Sequence, residues 1–306
     1  MKKTYLLIAV VLLTFVDVKA QQDPQYTQYM YNMSIMNPAY AGSKENMTGG
    51  VLYRKQWLDI EGAPTTGTFF INSPVGKNVG LGLSAINDKI GPVEETNVYA
   101  DFSYTLNLGD DRRLAFGLKG GVTMHKIDFT TIYPTLPNIN DEAFNGPNPN
   151  KSFLNVGSGL FYYTNKYYVA VSVPNMLKSN YLDYSGRRFG TETLHYFITG
   201  GYVFDINPDL KFKPSTMIKS AINAPVSLDL SANFLFNDKF EVGGTYRLQD
   251  SFGAMVNYAV SPSLRIGYAY DQIVSDLKVT TPSSHEIMIL FNLNFPKKVS
   301  QSPRYF

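Results

Sequence analysis

The residue types that could carry chemistry in this chain are few and widely separated. The sequence contains no cysteine, so disulfides, zinc thiolate sites and cysteine nucleophiles are excluded. Its three histidines, His125, His195 and His285, are far apart and in no metal-binding spacing. Each falls at or near the end of a predicted strand, where a polar side chain needs no catalytic explanation. The sequence therefore predicts no catalytic centre, no metal site and no cofactor.

Three weaker patterns lead to the same conclusion. The string from Gly80 to Ala85 fits G-x-G-x-x-A, but a dinucleotide site needs that string between a strand and a helix, and here it lies inside an alternating strand. Asp141 and Glu142 stand among asparagines in segment 138–150, where calcium could bind, although the spacing is not that of an EF-hand loop. No G-x-S-x-G elbow is present. A hydrolase built from a distant Ser/His pair is the remaining enzymatic alternative, and no pattern supports it.

Composition limits the kinds of protein to consider. Charged residues make up 17% of the 306 residues and aromatic residues 14%, whereas an ordinary soluble domain has about 25% charged residues. The net charge of +2 gives no basic patch of the kind that nucleic acid requires. A length near 300 is compatible with one all-β barrel.

The first twenty residues have the pattern of a secretory signal peptide. Lys2 and Lys3 form its positive region, an apolar run extends from Leu6 to Val16, and Val18-Lys19-Ala20 forms the cleavage site. The alternative is an uncleaved membrane anchor, but the apolar run is shorter than the ~20 residues that a spanning helix needs. We therefore expect residues 1–20 to be removed and the mature chain to begin at Gln21.

Most of the remaining chain alternates with period two, the pattern of strands with one apolar and one polar face. In the segment from Val98 to Leu108, the even-numbered positions are apolar and most of the odd-numbered positions are polar. Several such segments reach ten residues or more, whereas strands of soluble proteins usually have about five or six. Tilted strands that cross a membrane need about nine to eleven residues.

The connections between these strands sort by length. Short turns follow the even-numbered strands, and the longest connections, such as 126–151 and 174–191, follow odd-numbered ones. Outer-membrane barrels have short periplasmic turns, longer outer loops and an even number of strands. We therefore predict an all-β, antiparallel, up-and-down transmembrane barrel of about fourteen strands with both termini periplasmic. Its predicted parts are a periplasmic leader or plug at 21–46, the barrel at 47–295 and a periplasmic tail at 296–306.

The alternation also predicts which side chains face the inside. Apolar members face lipid, and polar members line the lumen, where a salt-bridge network or a narrow polar channel would form. Glycines inside the strands leave room for curvature or for something packed inside. The predicted lumen charges are Asp101, Lys119, Asp229, Glu241, Arg247, Arg265 and Asp271.

The leader carries the most specific motif. The segment from Asp23 to Asn32, followed by Met36 to Gly42, closely resembles the start of the PorP/SprF family of the type IX secretion and gliding machinery of Bacteroidetes. The resemblance continues at Tyr53 to Trp57 and extends to the final Ser302 to Phe306. Its motif residues, with a predicted role in binding partners, are Tyr26, Gln28, Tyr29, Asn37, Pro38, Tyr40, Gly42, Arg54 and Trp57.

The resemblance implies a non-enzymatic protein integral to the outer membrane. Family members look like barrels that deliver or hold secreted cargo at the cell surface. The implied partners are the C-terminal domain of a cargo protein or a surface adhesin, and periplasmic ring or peptidoglycan-binding components of the machinery. The alternative function is a passive porin or small-solute transporter, for which the polar lumen face is the motivation. The two functions place different requirements on the long connections 126–151 and 174–191. A cargo receptor needs these connections, and a pore does not.

Overall fold

The computed structural model describes residues 25–128, 150–177, 180–184, 187–191, 194–221, 225–275 and 283–293. The predicted signal peptide at 1–20, the tail at 296–306 and the acidic pair Asp141 and Glu142 lie outside these residues. The strands of the described part are β1 Met47–Lys55, β2 Thr65–Pro74, β3 Val79–Ile90, β4 Val93–Asn107, β5 Arg113–Ile127, β6 Asn150–Tyr163, β7 Tyr167–Val173, β8 Asn180–Tyr184, β9 Arg187–Thr191, β10 His195–Tyr202, β11 Phe204–Asn207, β12 Leu210–Ala221, β13 Ser227–Phe236, β14 Phe240–Arg247, β15 Ser251–Ser261, β16 Leu264–Ile273 and β17 Ser283–Leu293.

The sheet closes on itself. Strand β1 pairs antiparallel with β2 on one side and with β17 on the other, and β10 pairs with both β7 and β12. Strands β10 and β11 share one position in the wall, interrupted at Val203, while β8 and β9 form a separate hairpin. The wall is therefore a closed antiparallel barrel of 14 strands, which confirms the predicted fold class.

Alternation of side chains explains why these residues form a barrel. In β13, Asp229 and Asn233 point inward and are buried, whereas Leu230 and Phe234 point outward with 47% and 42% of their surface exposed. In hydrocarbon each backbone N–H and C=O must find a partner in the protein, and a closed ladder provides one for every strand. Outward aromatic rings form a belt near the short turns, where those of Tyr167 and Tyr202 stack with centroids 6.0 Å apart.

The connections are distributed as predicted, with short turns at one end of the barrel and the long connections at the other. The turn between β13 and β14 is Asn237-Asp238, with φ of 49° and 56°, the left-handed conformation that tight hairpins require. Short turns of this kind lie at one end of the barrel, here called the turn end. The connections that follow β1, β5, β7 and β16 lie at the opposite end, here called the loop end. Strand β1 begins and β17 finishes at the turn end.

Residues 25–46, here called the leader, contain only short helical pieces: 3-10 turns at Tyr29–Tyr31 and Pro38–Tyr40 and one α-helical turn at Met33–Met36. In the part of the chain that the structure describes, no helix has the length and apolar character to span a membrane.

Candidate functional site

The leader runs through the inside of the barrel. Near its start, the Thr27 hydroxyl lies 2.8 Å from Nη1 of Arg54, which is close to the loop end of β1. Near its other end, the Ala41 carbonyl accepts a 2.5 Å hydrogen bond from the hydroxyl of Ser103, close to the turn end of β4. The leader therefore descends the lumen from the loop end to the turn end, and continues directly into β1 at Met47.

This path bears on the predicted position of the chain ends. Gln25 lies towards the loop end, although β1 begins at the turn end. The side of the membrane on which each terminus lies stays a prediction, because residues 1–24 and 294–306 are outside the described residues.

A buried charge cluster holds the upper part of the leader. Arg54 contacts Asp271 at 2.7 Å and Glu286 at 3.3 Å, and all three side chains are almost completely buried. The Glu286 carboxylate accepts the backbone N–H groups of Thr27 and Gln28, each at 2.9 Å. Two carboxylates around one guanidinium would repel each other, and the leader's N–H groups and the Thr27 hydroxyl satisfy the remaining acceptor sites.

A second cluster holds the lower part of the leader. Lys213 lies 3.1 Å from Glu241, and its ammonium group donates to the Tyr31 hydroxyl at 2.9 Å. The Tyr31 hydroxyl in turn donates to Glu241. Burial and the adjacent carboxylate raise the pKa of Tyr31 well above its usual value, so the phenol stays neutral and remains a donor. Arg265 approaches the same carboxylate at 3.7 Å.

Further contacts fix residues 34–37 of the leader. Lys119 pairs with Asp101 at 3.5 Å and donates to the carbonyl of Ile35 at 2.9 Å. Asn72 donates to the hydroxyl of Ser34 at 2.8 Å, and Asn37 donates to the carbonyl of Leu160 at 3.0 Å. The leader thus bonds to strands from several sides of the barrel.

Missing side chains in the wall make room for this segment. A Cβ atom added at Gly117 would lie 2.0 Å from the backbone nitrogen of Ala39, and one added at Gly80 would lie 2.1 Å from the carbonyl oxygen of Ala41. Real Cβ atoms do not approach backbone that closely, so the leader's position requires glycine at both sites. Of the two sequence interpretations of strand glycines, curvature or internal packing, the structure shows internal packing here.

The predicted lumen charges all lie on the inner face. Arg265 keeps 16% of its side-chain surface exposed, and the others are buried. Within the set, the structure pairs Asp101 with Lys119, Asp229 with Arg247 and Glu241 with Arg265. Sequence reasoning missed Lys213, Lys219 and Glu286. The inward parity of β12 and β17 could have indicated them.

The motif residues turn inward rather than towards solvent. Arg54 is buried in the barrel wall, and Trp57 lies beyond the end of β1 at the loop end, partly exposed, with a φ of 49°. A role of the motif in binding partners stays a prediction, because in this arrangement most of these side chains contact the barrel. The buried motif residues of the leader are Tyr26, Gln28, Tyr29, Asn37, Pro38 and Tyr40.

Metal binding has no support within the described ranges. No group of three or more His, Asp or Glu side chains there could hold a metal ion. The arrangement can hold a peptide segment by charge and hydrogen bonding.

Comparisons with known proteins agree with this architecture. The family model described as type IX secretion system membrane protein PorP/SprF matches residues 18–291. A comparison with curated proteins found no match to the sequence.

Solved barrels resemble the chain in fold. The CymD monoaromatic hydrocarbon channel is 13% identical, with a TM-score of 0.54 over 87% of this chain and 93% of that one. The toluene transporter TbuX of Ralstonia pickettii is 11% identical, with a TM-score of 0.49 over 85% and 92%. Omp33 of Acinetobacter baumannii is 11% identical, with a TM-score of 0.47 over 81% and 99%. At such identities, the likeness to CymD shows the barrel fold alone.

Proposed function

This chain belongs to the PorP/SprF family of type IX secretion system membrane proteins, and we propose that it binds secreted surface proteins and helps to deliver or anchor them. The family and the barrel fold place it in the outer membrane as an integral protein. In this proposal it has no enzymatic activity of its own. Its partners are the C-terminal domain of a cargo protein or a surface adhesin, and periplasmic ring or peptidoglycan-binding components of the machinery.

The observation that carries the proposal is the filled lumen. The leader occupies the interior, and buried contacts at Arg54, Lys119 and Lys213 fix it there. An interior filled by the protein's own chain favours a role through surfaces over a role in conduction. Removing the leader would take a hydrogen-bond partner from each of these buried cations, and an unmet hydrogen bond of a buried charged group is costly.

The two ends of the barrel offer different surfaces. Connections at the loop end include the long ranges 126–151 and 174–191, and we assign cargo binding to them. The turn end carries short hairpins such as Asn237-Asp238. This end suits a flat contact with periplasmic machinery, given the short periplasmic turns of outer-membrane barrels.

Extraction of the tagged full-length protein from its native outer membrane in mild detergent, followed by mass spectrometry, tests the proposal. We expect a stoichiometric large surface protein or machinery components. A variant that lacks 134–146 should lose the surface protein. The matched control, with Asp110 and Arg112 both changed to alanine at an exposed pair of the turn end, should retain it.

A barrel that purifies alone would count against the proposal. That result would favour the alternative, a passive porin or small-solute transporter, which requires steady conductance. The polar inner wall is its only motivation.

A further inference from the structure

A cavity lies between the leader and the barrel wall, beside the cluster of Lys213, Tyr31 and Glu241. It has a volume of about 190 Å³. Of the charged residues that line it, three are cations, Lys44, Lys213 and Arg265, and none is a carboxylate. The other lining residues are Tyr31, Tyr40, Thr48, Gly49, Phe70, Leu235, Leu290 and Asn292.

The nearest carboxylate does not balance these charges. Glu241 already accepts from Lys213, from Tyr31 and from the amide of Asn233 at 2.9 Å. Arg265 lies 3.7 Å from that carboxylate, and its Nη1 atom is buried without a hydrogen-bond partner among the described residues. One carboxylate therefore lies among three cations, of which Lys213 is buried and Lys44 and Arg265 are partly exposed. Positive charge that is only partly compensated favours an additional anion.

Lys44 shows the effect of this imbalance. Burial, together with the nearby charges of Lys213 and Arg265, lowers its pKa from 10.5 to about 8. An anion in the cavity would offset the charges of both cations and raise the pKa of Lys44 back towards its usual value.

A second cavity lies next to the first, at the turn end. It is wider, with a volume of about 410 Å³, and Lys44 lines both spaces. Its other charged lining residues are Glu45, Lys77 and Arg113, so cations again outnumber carboxylates. An excess of positive charge at this end raises the local concentration of anions.

We propose that the inner cavity is a binding site for a small oxyanion, a carboxylate or phosphate group, held by Lys44, Lys213 and Arg265. The side-chain amide of Asn292, which also lines the cavity, supplies a further donor. One side of the cavity is apolar and is formed by Phe70, Leu235 and Leu290. This side limits the polar part of the ligand to one group. The volume accommodates such a group with a few waters, since each water occupies about 30 Å³. The site does not depend on the secretion role.

Isothermal titration of the full-length protein in phospholipid-free detergent, with inorganic phosphate and with acetate as probes, tests the site. We expect binding of one anion per barrel at neutral pH. Lys44→Met and Arg265→Gln should each weaken it about tenfold or more, because each removes a charge-assisted hydrogen bond to the anion. The control Lys211→Met removes a cation that pairs with Asp238 and does not line the cavity, and should leave the affinity unchanged.

Native mass spectrometry separates the two sources of the group. A phospholipid that copurifies and is displaced by phosphate identifies a headgroup as the ligand, and binding to a lipid-free barrel identifies a solute. Both results support an oxyanion site. The absence of heat with either probe in a lipid-free barrel, or equal binding by wild type, Lys44→Met and Arg265→Gln, would overturn it. Heat-dependent gel mobility confirms that each variant is folded.

Discussion

Arg54 of β1 stands directly opposite Glu286 of β17 in the strand pair that closes the barrel, with Nη1 3.3 Å from Oε2. The same carboxylate accepts two backbone N–H groups of the leader. Closure of the wall and seating of the leader therefore share one buried ion pair. This relationship makes the leader part of the folded barrel rather than an appendage to it.

Arg54→Ala should destabilise both features. It leaves Asp271 and Glu286 buried and close together without their cation, a loss of about 3–5 kcal/mol. We expect the folded form on unheated gels to convert to the unfolded form at a lower temperature than wild type. Arg112→Ala, at an exposed pair, should change little. Equal transition temperatures for Arg54→Ala and wild type would show that the cluster does not stabilise the barrel.

Gly117→Val should displace the leader without changing the wall. The new side chain meets the backbone of Ala39, and overpacking of this kind costs about 1–3 kcal/mol. The chain has no cysteine, so Ser34→Cys, at a buried leader position, gives a single site for a maleimide reagent. We expect labelling about tenfold faster in the Gly117→Val background.

Gly120→Val is the control for that experiment. It lies on the same strand, and a Cβ atom added there meets nothing within 4 Å. Its labelling rate should equal that of the parent. Fast labelling in the parent itself would contradict a seated leader.

Lys44 should make the stability of the protein depend on pH. Its pKa is about 8 in the folded protein and 10.5 normally, so between these values the unfolded chain binds more protons than the folded one. The free energy of unfolding therefore rises with pH across this window. The contribution of Lys44 is on the order of 1 kcal/mol after allowance for screening.

Urea unfolding in a buffer free of phosphate and carboxylate, followed by the fluorescence of Trp57, checks this at pH 7 and pH 10. The stability of wild type relative to Lys44→Met should increase between the two. An unchanged difference would mean that Lys44 titrates normally.

Most of the fold could be predicted from the period-two alternation of apolar and polar residues. The predicted barrel covers 47–295, and the strands of the structure run from Met47 to Leu293. The alternation of a strand depends only on neighbouring residues, so the sequence alone indicates it. The inward position of charges such as Asp101 and Asp229 follows from the same alternation. A polar inner face, however, looks the same in sequence whether water or peptide fills the lumen.

The path of the leader could not be predicted for a related reason. Thr27 bonds to Glu286, 259 positions away, and no local pattern encodes such a contact. Gly80 and Gly117 do indicate that something packs inside the barrel, since an inward glycine in a long strand indicates close approach of another segment. That signal does not say which segment approaches.

Single-channel recording of the purified full-length protein in planar bilayers tests the central claim, a barrel filled by its own leader, most directly. We predict no steady conductance from wild type and current steps from Gly117→Val, because the polar wall conducts only when the leader is displaced. Steady, ohmic conductance from wild type would contradict the filled lumen and favour a passive pore.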